Sequence, residues 1–526
     1  MRNLVVCCDG TWQTTNNRSN VSRLFDLLDL PLDTKKYVKG VGTGDLVDRL
    51  RGGLAAAGLS DALLAGYRFL VDTYLPGDRI SLFGFSRGAH TARSLAGMVG
   101  GVGLVDRTGL DEQGRDTAVQ RAYERYQDLK AERKKQTGAG TGPETLLTTV
   151  TSATDALPLV YDPTSSDIPV VLIGVWDTVG ALGIPSYIGI PDLGHSRERY
   201  EFLNVTLDRR IPHARHAVSL DEMRGAFRPT LWEESAADPT QDIKQVWFPG
   251  DHCDVGGGHA DTRLSLGALA WMIDEAGAAV GLPFRTPDRA ETAAAVPEAL
   301  HGMSGGGWGA VVEAVFQPRP RATPLVDRDR PQPDRVAASA YELQKVTHDM
   351  SPARQYRRSR TLDPGEQATV VVEADEGWNA TGLYLEPGTY RFEADGQWRT
   401  PFGRSGPQGI APWPLVGDAF GNVVDLLERG FRTVLANPDA ELIGARREAD
   451  EPLMVLVGLV ADEVTDASGK IAENDGKKLV DEKLIIGRGC TARVDRSGYF
   501  WAYANDAWGS YGNNSGHATL TVTRIA

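Results

Sequence analysis

The sequence has few cysteines, no long apolar run and no excess of basic residues. Its four cysteines, Cys7, Cys8, Cys253 and Cys490, form no C-x-x-C pair, which argues against a disulfide framework and against a pattern for zinc or redox work. No apolar run reaches the roughly eighteen residues of a membrane-spanning helix. The formal net charge of −14 argues against nucleic acid as a partner.

The first apolar stretch is short and ends at Asp9, which is not the pattern of a secretory signal. We therefore expect cytoplasmic synthesis without a signal peptide, with the cysteines as buried free thiols. This leaves open a later delivery out of the cell by a specialised secretion system.

Residues 1–315 alternate between strand and helix patterns. Apolar runs at 4–8, 79–85, 169–176 and 245–248 predict strands, and helical spacing at 60–75, 87–99 and 264–276 predicts helices between them. This order indicates an α/β fold, a mostly parallel sheet with helices on both faces. We interpret residues 110–165 as an insertion, which is either a lid or a solvated excursion.

The remaining chain changes character twice. Residues 316–365 are rich in proline and arginine and predict a linker or strap; their basic run at 354–360 indicates a solvated surface or a membrane-surface contact. From 366 to 526, many short strands predict an all-β sandwich, with a hairpin over 383–393 and one helix at 420–436.

Residues 84–88 match the pattern G-x-S-x-G, with Ser86 at its centre. A predicted strand precedes the match and a helix of small residues follows it, which is the context of a nucleophile elbow. The alternative is an ordinary tight turn between a strand and a helix. A serine nucleophile needs a base, and the base needs an orienting acid.

The acid and base should also follow strands, because ligands bind at the carboxyl edge of a parallel sheet. Asp177 directly follows the buried strand that ends at residue 176, and His252 follows the strand at 245–248. Asp177 could instead be a helix cap. His252 is preferred over its runner-up His259, over His90 on the predicted helix, and over two histidines that we place in a helix, His213 and His216.

The oxyanion of an acyl-transfer intermediate needs backbone N–H donors. We expect one from Arg87, the residue after the serine, and the other from Gly10 or Thr11 in the turn after the first strand. The glycine-rich stretch 40–44 lacks the lysine of a phosphate-binding loop, so it is interpreted as a turn near the site.

Five blocks of residues 1–280 resemble a bacterial family of uncharacterised α/β-hydrolases that includes phospholipase effectors of type VI secretion. The blocks are CDGTW (8–12), GFSRGA (84–89), VWDTVG (175–180), LDEMR (220–224) and HCDVGGG (252–258). The resemblance implies Ser86 as nucleophile, Asp177 as acid, His252 as base, and hydrolysis of phospholipid esters. The stretch between Ser86 and Asp177 is longer than is usual in the family. We interpret Asp221 and Arg224 as a structural ion pair.

A long loop at 505–516 separates two predicted strands and is rich in glycine and asparagine. Asp506, Asn513 and Asn514 offer hard oxygen ligands that suit Ca²⁺, although a long turn has the same composition. The loop resembles that of the calcium-dependent galactophilic bacterial lectins of the LecA type, over about residues 366–526. That resemblance implies Ca²⁺ bound by these three side chains and the Ser510 carbonyl, with Asp506 and Asn513 also holding a sugar.

The resemblance to the lectins is incomplete. The histidine and glutamine that follow their G-P-Q-G block are replaced here by residues 410–414, IAPWP, so calcium is better supported than galactose. The expected protein is a serine lipase or phospholipase carrying a calcium-dependent carbohydrate-binding domain. The alternatives are a glycan-binding protein with an inactive hydrolase domain and a soluble esterase of small esters.

Overall fold

The structure is a computed structural model of the 526-residue chain. It describes residues 1–10, 18–40, 54–137, 157–179, 207–224, 227–232, 239–285, 318–347, 355–357, 359–401, 403–410, 447–448, 450–461, 473–474, 477–478, 482–507 and 510–526. The predicted helix at 420–436 and the predicted boundary at residues 315–316 lie outside these ranges.

Eight strands lie within the described residues of the first part of the chain. They are β1 (Asn3–Cys8), β2 (Lys35–Val38), β3 (Arg79–Phe85), β4 (Leu104–Val105), β5 (Leu159–Tyr161), β6 (Val170–Trp176), β7 (His213–Ser219) and β8 (Asp242–Phe248). Six of them form one parallel sheet in the order β2-β1-β3-β6-β7-β8, and β4 pairs with β5 separately. Cys8 lies beside Gly84, and Phe85 lies beside Trp176. The turns that follow these strands therefore meet at one edge of the sheet.

Helices cover both faces of this sheet. The described helices are α1 (Asn20–Leu27), α2 (Leu54–Thr73), α3 (Arg87–Val102), α4 (Glu112–Thr137), α5 (His252–Gly256), α6 (Arg263–Val280) and α7 (Ala338–Thr347). One apolar core lies between the sheet and α2 and α3, and a second lies between the sheet and α1 and α6. The inner strands β1, β3 and β6 are buried on both faces, as their largely apolar sequences require.

Two expectations for this part of the chain need correction. His213 and His216 lie on β7 and not in a helix. Because successive side chains of a strand point to opposite faces, the alternating HARHAV pattern is that of a strand. Helix α4 of the predicted insertion is not a fully solvated excursion, because Val119, Ala122 and Tyr126 are buried in the first core.

The part of the strap that the structure describes covers one edge of the sheet. Val336 forms a parallel bridge with Trp247 on β8, and Ala337 N donates to Trp247 O at 2.9 Å. An edge strand with unpaired backbone groups is prone to unwanted pairing. The strap therefore satisfies part of the edge that β8 would otherwise expose.

The last part of the chain is a β-sandwich. Its strands are β9 (Gln367–Glu373), β10 (Asn379–Leu385), β11 (Gly388–Thr400), β12 (Gly403–Ser405), β13 (Leu456–Ala461), β14 (Glu473–Asn474), β15 (Lys477–Lys478), β16 (Glu482–Ile485), β17 (Gly489–Val494), β18 (Gly498–Ala504) and β19 (Ser515–Arg524). One sheet has the order β10-β18-β13-β16 and the other β12-β11-β19-β9, with β17 paired to β11. The predicted fold class, an α/β sheet followed by an all-β sandwich, is confirmed.

The hairpin predicted over 383–393 is wrong. β10 pairs with β18 in the first sheet, whereas β11 pairs with β17 and β19 in the second. Pro387 and Gly388 thus carry the chain from one sheet to the other.

A membrane-spanning helix needs both length and an apolar surface. Within the described ranges, the structure contains no helix that meets both requirements.

Candidate active site

Ser86 occupies the sharp turn between β3 and α3. Its φ of 57° lies in the left-handed region, and its backbone N–H donates to Trp176 O at 3.1 Å. A Cβ at Gly84 would lie 2.4 Å from Gly88 O, and one at Gly88 would lie 2.2 Å from Cys8 O. Both glycines are therefore required sterically, and the strained serine between them is the geometry of a nucleophile elbow.

Asp177 and His252 meet beside this turn. Asp177 Oδ2 lies 2.6 Å from His252 Nδ1, and both residues are buried. The imidazole ring packs against Phe85 and Phe227, with ring centroids 4.6 and 4.9 Å apart. This contact holds His252 with Nδ1 toward the Asp177 carboxylate, so Nε2 is the ring nitrogen that faces away from Asp177.

The hydrogen bonds of the described residues include none between Ser86 Oγ and the His252 ring. Ser86 itself is 7% exposed. Catalytic contacts of this kind are often long before substrate binds and tighten in the complex. The structure therefore brings Asp177, His252 and Ser86 to one sheet edge, and of these three described residues Asp177 and His252 are joined by a hydrogen bond.

Arg321 also contacts Asp177, and no sequence pattern had indicated it. Its Nη1 donates to Asp177 Oδ1 at 2.8 Å and its Nη2 to Asp177 Oδ2 at 3.0 Å. Burial alone raises the pKa of the Asp177 carboxyl, but the charge of Arg321 and the hydrogen bonds from His252 and Arg321 outweigh burial and hold that pKa well below its usual range. Asp177 is thus ionised at neutral pH although no part of it is exposed.

The turn after β1 lies next to Ser86. A Cβ at Gly10 would lie 3.2 Å from Ser86 Cβ, but the Gly10 N–H donates to its neighbour Asp9 Oδ1 at 2.7 Å. Thr11 lies outside the described residues. Arg87, the other predicted donor, is the first residue of α3, where backbone N–H groups point out of the helix end.

The predicted calcium ligands lie near one another in the sandwich. Asp506 and Asn514 are buried, and Asn514 Nδ2 donates to Asp506 Oδ2 at 2.7 Å. Burial raises the pKa of Asp506. Asn513 lies in a short 3₁₀ turn and is exposed, and its backbone N–H donates to Ser510 O at 3.3 Å.

A family model described as "T6SS, Phospholipase effector Tle1-like, catalytic domain" matches residues 2–275, which is more than half of the chain. The chain belongs to the Tle1-like phospholipase effector family. The matched residues include Ser86, Asp177 and His252, together with the sheet that carries them.

One relative of this Tle1-like chain is a yeast protein. An uncharacterized protein of Saccharomyces cerevisiae, YEL023C, is 30% identical over 249 residues, which are 43% of this chain and 32% of that protein. The chain therefore spans about a third of the length of that relative.

Three solved structures show a weaker likeness. The Tle1 effector bound to the VgrG spike of the type VI secretion system is 18% identical, with 49% of this chain and 51% of that chain covered and a TM-score of 0.26. An uncharacterized protein from Pseudomonas aeruginosa is 17% identical, with 60% and 50% covered and a TM-score of 0.31. The EclA N-terminal domain, a PllA-like lectin, is 17% identical, with 30% and 94% covered and a TM-score of 0.17.

Asp9 in this Tle1-like site is a second residue that the sequence did not single out. Its carboxylate accepts hydrogen bonds from Ser19 Oγ at 2.5 Å, from Tyr37 Oη and from Gly10 N. A Cβ at Gly40 would lie 1.8 Å from Gly10 O, so the backbone at Gly40 packs directly against the same turn. Asp9 therefore fixes the turn beside Ser86. Residues 41–44 lie outside the described ranges.

The other histidines have different surroundings. Burial lowers the pKa values of His90 and His216 to about 3, so both are neutral at physiological pH. His259 Nε2 lies 2.9 Å from Asp251 Oδ1. Of the described histidines, His252 is the one that contacts the carboxylate of Asp177.

The predicted ion pair of Asp221 with Arg224 is wrong. Arg224 pairs with Glu222 at 2.5 Å, whereas Asp221 pairs with Arg357 at 2.7 Å. The Asp221 carboxylate also accepts from Gly250 N at 2.7 Å. Arg357 belongs to the basic run that we expected to be a solvated or membrane-facing surface, but its side chain is 13% exposed and lies against Asp221.

Proposed function

We propose that this chain is a serine hydrolase that cleaves the carboxylic esters of phospholipids and acts as an effector of type VI secretion. The carrying observation is the strained Ser86 turn at the same sheet edge as the 2.6 Å contact between Asp177 and His252. Membership of the Tle1-like family supports the substrate class and the delivery route.

The proposed chemistry follows the usual order of acyl transfer. His252 Nε2 takes the proton of Ser86 Oγ as that oxygen attacks the ester carbonyl, and Asp177 stabilises the imidazolium. The leaving alcohol, a lysophospholipid, takes the proton from His252. Water then attacks the acyl-enzyme with His252 again as base, and a fatty acid leaves.

The oxyanion would be held by the Arg87 N–H and by a donor from the turn after β1. Gly10 can serve only if its N–H leaves Asp9 Oδ1, which it now contacts at 2.7 Å. Thr11 is the alternative in that turn. The Asp9 carboxylate thus competes with the oxyanion for the Gly10 donor.

We also propose that the sandwich binds Ca²⁺ through Asp506, Asn513, Asn514 and the Ser510 carbonyl. Asn514 Oδ1 is buried without a hydrogen-bond partner among the described residues. Asp506 is a buried carboxylate, and no ion pair with it occurs in the part of the chain that the structure describes. Hard oxygen ligands of this kind suit Ca²⁺. Rotating the Asn514 side-chain amide by about 180° would exchange Nδ2 and Oδ1. Oδ1 would then face Asp506 Oδ2, and a calcium ion could lie between the two oxygens.

Bound Ca²⁺ would coordinate sugar hydroxyl oxygens beside Asp506 and Asn513, as the lectin resemblance implies. A glycan ligand would place the hydrolase on an envelope surface that carries phospholipid. This targeting role is separable from hydrolysis, because the calcium loop and the triad lie in different parts of the chain.

The test is mass spectrometry of mixed phospholipid liposomes after incubation with wild type and Ser86→Ala, each with Ca²⁺ or with chelator. Lysophospholipid and free fatty acid from wild type alone are expected. Turnover of short soluble esters but of no liposome would support the small-ester esterase. Equal, negligible turnover of both substrates by wild type and variant would contradict the hydrolase and favour a glycan-binding protein with an inactive domain.

A further inference from the structure

Three side chains with different donor atoms lie together beside the catalytic base. Asp251 and Cys253 flank His252 in sequence, and His259 follows the glycines after α5. The ligand atoms of the three residues all lie within 4.8 Å of one another. His259 Nε2 is 2.9 Å from Asp251 Oδ1 and 3.1 Å from Asp251 Oδ2.

The carboxylate of Asp251 can serve two purposes at once. Its Oδ1 accepts the backbone N–H groups of Cys253 and Asp254 at 2.8 and 2.9 Å, which caps the start of α5. Oδ2 takes no part in that cap, so it can bind a metal while the helix keeps its cap. The three residues are each half-buried, so solvent can reach the cluster.

The surrounding charges favour a cation. Glu222 lies close by, since its Oε2 accepts the His252 N–H at 3.3 Å, and Asp254 caps the same helix from inside. Arg224 is the opposing charge, but its guanidinium is engaged by Glu222 at 2.5 Å. Among the described residues, the carboxylates of Asp251, Glu222 and Asp254 thus act on the cluster against the single charge of Arg224.

We infer that Asp251 Oδ2, Cys253 Sγ and His259 Nε2 form a site for a borderline transition-metal ion such as Zn²⁺, with water as the fourth ligand. A set of one oxygen, one sulfur and one nitrogen ligand suits Zn²⁺, whereas Ca²⁺ and Mg²⁺ prefer oxygen alone. Binding displaces the Cys253 thiol proton and the proton that His259 shares with Asp251, and both go to solvent. The oxidation states of the metal ion and of its ligand atoms do not change.

The ion would join both ends of the turn that carries the base. Gly257 and Gly258 have φ values of 85° and 130°, so this turn depends on glycine conformations. A metal bridging residues 251, 253 and 259 would fix α5, and His252 with it. The site does not depend on the hydrolase proposal, since its primary readout is metal binding.

Equilibrium titration of the full chain with Zn²⁺, in excess Ca²⁺ to saturate the other proposed site, tests the inference. We expect one Zn²⁺ site that is weakened at least about tenfold in Cys253→Ser and in His259→Gln. The matched controls are Cys490→Ser, a half-buried thiol on β17, and Ser86→Ala, both of which should bind as wild type. Unchanged Zn²⁺ affinity in Cys253→Ser and His259→Gln would overturn the inference.

Two further measurements keep the test decisive if a variant folds poorly. Co²⁺ bound to wild type should show thiolate-to-metal charge-transfer absorption, which Cys253→Ser should lose and Cys490→Ser should keep. In wild type alone, Zn²⁺ should slow alkylation of Cys253 but not of Cys490, as peptide mapping would show. Absence of both the absorption and the protection would also refute the site.

Discussion

Replacing Arg321 with methionine should destabilise the α/β domain strongly. The guanidinium donates two hydrogen bonds to Asp177, at 2.8 and 3.0 Å, one to Ser219 O at 2.8 Å and one to Phe227 O. Methionine fills most of the volume but leaves a fully buried carboxylate without its guanidinium partner. Removing one partner of a buried ion pair costs about 3–5 kcal/mol of unfolding free energy. Asp177 keeps its contacts with His252 and with Ser219 N, so we expect the lower end of that range.

The loss should depend on pH in a direction that the Asp177 pKa sets. A carboxyl whose folded pKa is depressed contributes stability above its unfolded pKa, near 3.9, and that stability disappears as pH falls through the folded pKa. Removing Arg321 raises the folded pKa of Asp177 toward its ordinary value. The difference in unfolding free energy between wild type and Arg321→Met should therefore be full at pH 7 and should narrow only as the pH falls below about 4.

Urea unfolding followed by the helical circular dichroism signal measures this gap. Within the described ranges, the α-helices lie at or before Thr347, so the signal reports the domain that holds Arg321. Arg321→Lys should lower the unfolding free energy less than Arg321→Met does, because lysine keeps the positive charge but cannot make the bidentate contact with the carboxylate. Arg328→Met is the surface control; its ion pair with Asp329 is 3.7 Å long and exposed, worth about 0–1 kcal/mol. A gap below about 1 kcal/mol, or one that stays constant with pH, would refute the reasoning.

Three other predictions concern single positions. Ser86→Gly should abolish hydrolysis yet raise the unfolding free energy by about 1 kcal/mol in urea titrations, because glycine accepts the φ of 57° without strain. Gly88→Ala should lower the unfolding free energy by about 1–3 kcal/mol, because the added Cβ clashes with Cys8 O. Gly101→Ala on the same helix should leave it unchanged, because the nearest atom to that Cβ is 3.6 Å away. Thermal unfolding of Asp506→Asn should lose most of a calcium stabilisation worth about 2.7 kcal/mol at a hundred times the dissociation constant. In chelator, the same variant should be at least as stable as wild type, because burial raises the Asp506 pKa and thus disfavours its charged form.

The fold class could be predicted because the inner strands of the parallel sheet are buried on both faces. β1, β3 and β6 are largely apolar, and turn residues follow them. β7 was missed because histidine and arginine interrupt it. Those polar groups are satisfied by neighbours, as where Arg215 pairs with Glu275 at 2.6 Å, and such partners are far away in sequence.

The hairpin error has a related cause. A proline–glycine pair between two alternating strands favours a turn, but the turn alone does not determine whether the strands pair with each other. In a sandwich, the same turn can carry the chain across to the facing sheet. Tyr390 and Phe392 on β11 enter the core opposite Leu383 and Leu385 on β10, so packing between the sheets decides the path.

The candidate triad could be predicted because each of its members follows a strand and lies in a recognisable block. Arg321 and Asp9 could not be predicted in the same way. Arg321 lies 144 residues from Asp177, in a stretch of prolines and arginines that suggested only a linker. Asp9 lies in a matching block, but the block gives no sign that its carboxylate would bind the turn that should donate to the oxyanion.

The position of Arg321 makes the strap part of the site. Its side chain holds Asp177, while the backbone of the same segment is anchored on the sandwich: Val326 N donates to Tyr499 Oη at 2.9 Å, and Trp378 Nε1 donates to Pro318 O at 2.5 Å. A guanidinium orients a buried carboxylate well only if its own backbone is fixed. If the backbone is mobile, ordering the arginine costs conformational entropy that offsets the contact. The β-sandwich therefore supports the geometry of the candidate triad through the strap, whether or not it also binds calcium or sugar.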